Sequence, residues 1–104
     1  MAKEGGEMPI PLKEHEDFTY ERAERVARGP GVYQLSDRAY EIVLIGTSTF
    51  LPDKILDHLR EKSPLTMKVR RFWAEQTDNY KEREQELLEE FKQAHNGELP
   101  EGNR

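Results

Sequence analysis

Between Lys54 and Trp73 the chain concentrates cations beside aromatic rings: Lys54, Arg60, Lys62, Lys68, Arg70 and Arg71 lead into Phe72 and Trp73. Ammonium and guanidinium groups suit phosphate oxygens, and a flat ring beside them suits an unstacked base, so these are the residue types of a nucleic-acid surface. On that reading His58, Lys68, Arg70, Arg71 and Trp73 make the contacts. The same residues equally suit a solvated strand edge whose charges discourage pairing with another sheet. His58 has no second His or Cys at metal spacing, so a zinc site is not expected there. Farther on, Glu82, Glu84, Glu86, Glu89 and Glu90 gather negative charge on one predicted helix. That helix would repel nucleic acid except where a metal intervenes, which makes any binding face one-sided.

The elements that must carry these residues fit in one domain, because the chain has 104 residues. Only 35% of them are apolar and 36% are charged, so the core must be small and the surface heavily ionic. A formal net charge of -5 disfavours indiscriminate coating of nucleic acid, although the two signs are segregated along the chain. The absence of cysteine excludes disulfides, zinc-thiolate sites and thiol nucleophiles. No apolar run is long enough for a membrane helix, and the first residues lack the apolar centre of a secretion signal, so a cytoplasmic location and no membrane partner are expected.

Residues 1–17 mix Gly, Pro and charge without a period and read as a flexible arm, leaving 18–104 as the folded domain. Phe18 to Arg28 places Ala23, Val26 and Ala27 on one helical face, with Thr19 as its cap, before Gly29-Pro30-Gly31 stops it. Val32 to Leu35 and Glu41 to Ile45 read as two hairpin strands, the second apolar at consecutive positions as in the middle of a sheet. Leu51, Ile55, Leu56 and Leu59 form the stripe of a second helix that begins near Pro52. Thr66 to Ala74 alternates as a third strand, and a long helix follows from about Asn79 to Asn96, with Leu87, Leu88 and Phe91 at helical spacing. The expected fold class is α/β in the α+β sense: a small three-stranded antiparallel sheet flanked by helices.

Gly31-Val32-Tyr33 after Pro30, followed by Leu44-Ile45-Gly46 at the end of the next strand, resembles the paired signature of the GIY-YIG nuclease superfamily. The resemblance extends from about Pro30 to Asn103, with a helix, a strand and a helix following in that family's order. It implies a GIY-YIG endonuclease-like fold and cleavage of DNA phosphodiester bonds with Mg²⁺ or Mn²⁺. Tyr33 then stands where a tyrosine positions or deprotonates the attacking water, and Leu44 stands where the family has a second tyrosine. Lys54 takes the position of a catalytic arginine and can neutralise a phosphate only as a point charge. Glu89 resembles the metal-binding glutamate, with Glu86 and Glu90 as other registers, and Asn103 resembles the closing asparagine.

Each residue also has an ordinary reading. Tyr33 suits a half-buried packing aromatic, and Lys54 and Glu89 suit solvated helix charges. Besides the endonuclease, the sequence is compatible with an inactive nucleic-acid-binding module gripping through Lys68, Arg70 and Arg71, and with a protein-interaction domain using the acidic helix.

Overall fold

Thr19 and the Gly29-Pro30-Gly31 turn deliver the chain into a sheet through one short helix. In the computed structural model, which describes residues 15–104, the order is β1 (Glu16–Asp17), α1 (Tyr20–Glu24), β2 (Gly31–Asp37), β3 (Ile42–Ser48), α2 (Leu51–Arg60), α3 (Pro64–Met67), β4 (Val69–Gln76) and α4 (Tyr80–Ala94), closed by a 3-10 turn at Glu101–Asn103. All strand pairs are antiparallel and the spatial order is β1-β4-β2-β3. No helix among the described residues is long and apolar enough to cross a membrane.

The two faces of the sheet are covered by different helices. Tyr33, Leu35 and Phe72 face α1 and α2, where they meet Ala23, Leu51 and Ile55. Val32 and Ile45 face the other way, onto Leu87 and Phe91 of α4. β2 is consequently buried from Gly31 to Ser36. Leu35, Phe72, Leu51 and Ile55 are at most 1% exposed, and burial of such side chains contributes roughly 1.5–3 kcal/mol each.

The sheet departs from expectation in four respects. It has four strands rather than three: Glu16 and Asp17, read as part of the arm, pair with Phe72 and Arg71. Two polar residues are too few to show a strand period. Residues 1–14 of that arm lie outside the described residues. β3, expected in the middle, is an edge strand, and its consecutive apolar residues arise because helices cover both faces. Residues 64–67, assigned in part to the third strand, form a helical turn instead, since the Ser63 hydroxyl accepts the Thr66 N–H at 3.2 Å and Pro64 occupies the first turn. Finally, a register shift in β4 between Val69 and Arg71 leaves Arg70 as a bulge, so Val69 and Phe72 share one core cluster despite their odd spacing.

Candidate functional site

Tyr33 stands opposite Gly46 in the β2–β3 register, and its ring crosses over that glycine. A Cβ at Gly46 would lie 2.5 Å from Tyr33 Oη and 2.6 Å from Cζ, so the phenol occupies the space a side chain would fill. From there Oη reaches α2, where it lies 2.9 Å from His58 Nε2. His58 Nδ1 is in turn 3.2 Å from Glu61 Oε1, just beyond the end of α2. Helical spacing produces this second contact, because positions three apart lie on one face.

Chemistry orders the chain. An ionised carboxylate only accepts, so Nδ1–H donates to Glu61. Nε2 of the neutral ring then accepts the Tyr33 O–H. The arrangement is hydroxyl, imidazole and carboxylate in series, the pattern by which a base draws a proton from a hydroxyl and a third group orients the base. The Tyr33 pKa is raised well above the ordinary tyrosine value, first by burial, then by the charges of Glu84 and Glu61. The phenol is therefore neutral at physiological pH and is a donor to His58 rather than a standing base. Because the folded value is the higher one, its contribution to stability is complete below about pH 10 and is lost as the pH rises above that.

Lys54 lies on α2 four residues before His58, on the same stripe, half-buried and without an ion-pair partner among the described residues. Glu84 sits on α4 one turn before Leu87 and Leu88, on the stripe that faces the sheet, and it is partly buried. Glu89 is on the solvent side of the same helix. It pairs with Lys92 at 3.2 Å and lines an outward groove of about 450 Å³ with Gln85 and Glu90. Glu86 pairs with Arg83 at 3.0 Å. The structure thus gathers Tyr33, His58 and Glu61 directly, with Lys54 on the same stripe of α2, and makes Glu84 the α4 carboxylate whose charge reaches the phenol. Glu61 is absent from the residues expected at the site, and Glu84 figures there only as one charge of the acidic helix; the His58-x-x-Glu61 spacing is the available signal for the first.

Asn103 acts on the backbone. Its Nδ2 donates to the Ile45 carbonyl at 2.8 Å and its Oδ1 accepts the Ile45 N–H at 2.9 Å, so one carboxamide pairs with the exposed edge of β3. Gly102 permits this approach, since a Cβ there would lie 2.8 Å from the Val43 carbonyl oxygen. Asn103→Ala is expected to lose about 2 kcal/mol in chemical denaturation and to speed hydrogen exchange at the Ile45 amide, with the site geometry kept.

The remaining cations disperse. Lys68 bonds Glu101 at 2.6 Å, and Trp73 packs against the α4 cluster with the Arg83 guanidinium 6.0 Å from its ring centre. Arg70 and Arg71 line a separate cleft. His58 turns inward to Tyr33. No group of three metal-ligating side chains converges among the described residues. A Mg²⁺ or Mn²⁺ ion commonly keeps its waters and takes one or two carboxylates together with substrate phosphate, and Glu84, partly buried on the sheet-facing stripe, fits that single-carboxylate role. Glu89, held by Lys92 on the solvent side, fits it less well.

No protein-family model matches the chain, and no curated protein does either.

Proposed function

We propose that the domain is a metal-dependent endonuclease that hydrolyses DNA phosphodiester bonds at Tyr33 and His58. The observation that carries this reading is the hydrogen-bonded series Tyr33–His58–Glu61, beside a lysine free of carboxylates among the described residues. It also bears on Leu44: where the family resembled has a second phenol, this chain supplies an imidazole from α2.

Water attacking phosphorus gives a proton to Tyr33 Oη as Tyr33 passes its own to His58 Nε2. Glu61 stabilises the resulting imidazolium. Lys54 offsets charge at the phosphate oxygens, and the departing ester oxygen takes a proton from solvent. A divalent ion, with Glu84 as its carboxylate, would supply further positive charge toward the phosphate when bound.

The test is cleavage of branched, single-stranded and duplex DNA with Mg²⁺ or Mn²⁺ against chelator. Glu84→Gln is expected to lower the rate by at least about 100-fold, the order of a lost electrostatic contact to the transition state, while Glu89→Gln changes it less than about threefold. Equal loss in both variants, or cleavage that survives both, would refute the assignment.

A further inference from the structure

A second charged feature lies at the far end of the sheet. β1, the β2–β3 turn and the start of β4 enclose an open cleft of about 720 Å³, lined by Arg38, Arg70 and Arg71 with Asp17 as the one carboxylate among the described residues. The bulge brings Arg70 and Arg71 out side by side at the strand start. Arg70 Nη1 is held by the Met67 and Val69 carbonyls at 2.9 and 3.0 Å. The Arg71 guanidinium stacks 4.6 Å from the centre of the Tyr40 ring, and its contact with Asp17 is long, at 3.9 Å. Asp37 fixes the turn that carries Arg38 and Tyr40, accepting the Ala39 and Glu41 N–H groups at 2.9 Å each.

The Arg70 and Arg71 guanidiniums are oriented by contacts that, among the described residues, leave most of their donors unused, and with Arg38 they make three cations facing one described anion. Oriented arginines are the donors of choice for phosphate oxygens. Their placement on two segments along an open cleft suits successive phosphates of a strand better than one small anion. Tyr40, 38% exposed under Arg71, adds a ring against which a base or sugar can rest. We infer that this cleft is a binding site for the phosphate backbone of a nucleic acid, separate from the Tyr33 site. Along β2, Tyr33 precedes Asp37 by four residues, about 13 Å of strand. The inference does not depend on the reaction at Tyr33, because binding is read without turnover.

The experiment is fluorescence anisotropy of labelled single-stranded and duplex oligonucleotides in chelator, with the whole chain, across a salt series. Arg38→Glu, on an exposed turn, is expected to weaken binding about tenfold. Arg38→Ala/Arg70→Ala/Arg71→Ala is expected to flatten the slope of log affinity against log salt by about 2 to 3, as loss of that many phosphate contacts requires. Lys81→Ala, on the exposed side of α4, should change affinity less than twofold, and thermal melting establishes that each variant is folded. Unchanged binding in Arg38→Glu, or an equal loss in Lys81→Ala, overturns the inference. So does competition by poly-glutamate as effective, per charge, as unlabelled DNA, since the cleft would then prefer acidic protein.

Discussion

His58→Gln is expected to reduce DNA hydrolysis by about 10² to 10⁴-fold, the range for loss of a positioned general base, with the fold intact. Glutamine can still accept the Tyr33 O–H, so the buried hydroxyl keeps a partner and stability should fall by less than about 1 kcal/mol. It cannot take up the proton. His58→Ala removes both functions and should add roughly 1–3 kcal/mol of destabilisation, because the Tyr33 hydroxyl, in a residue only 3% exposed, is left without its bond. Tyr33→Phe should match His58→Gln in rate, since the two act in series and their losses should not add. Rate and stability together separate chemistry from packing: His58→Gln should melt close to the wild type while its rate falls. A His58→Gln protein with the wild-type rate would show that the pair is merely structural.

Gly46→Ala is expected to have the largest effect on stability while touching the same site. The new methyl would meet Tyr33 Oη, Cζ and Cε1 at 2.5, 2.6 and 2.9 Å, three atoms of a rigid ring already tied to His58. Neither strand can slide, because a one-residue slip would turn Val32 and Ile45 out of the core beneath α4. Overpacking of this kind costs about 3 kcal/mol, or roughly 10–20 °C in Tm for a domain of this size. Combining Gly46→Ala with Tyr33→Val should recover part of the loss, since the clash disappears with the ring. Strict additivity of the two changes would place the strain elsewhere. Hydrolysis should fall with the single substitution, as the phenol is displaced from His58.

The helices and long strands were legible because each carries an apolar period that burial enforces: Leu51 and Ile55 on α2, Leu87 and Phe91 on α4. What failed has local causes. Glu16 and Asp17 pair with β4 through backbone groups, aided by a long Asp17–Arg71 contact, and two polar residues leave no apolar pattern to read. Val69 and Phe72 share a face because of a bulge, which breaks the period-two alternation. β3 looked central because apolarity reports cover on both faces and says nothing of hydrogen-bonded neighbours. At the site, His58 stood out as a residue type, but its inward orientation depends on the helix phase and on the space above Gly46. Lys54 falls on the same stripe as His58 because four residues make about one helical turn. Glu84 and Glu89 read alike among the glutamates of α4, and only packing against the sheet separates the two.

Asn103 has a bearing on how copies of this chain coexist. A single carboxamide occupies the Ile45 groups to which a foreign strand would attach. If that side chain lets go, β3 offers an unguarded row of donors and acceptors beside an apolar segment, the condition under which sheets join across molecules. Solubility at high concentration is then set by one latch near residue 103 as well as by the charged surface. An assay of self-association would register its opening sooner than an assay of folding.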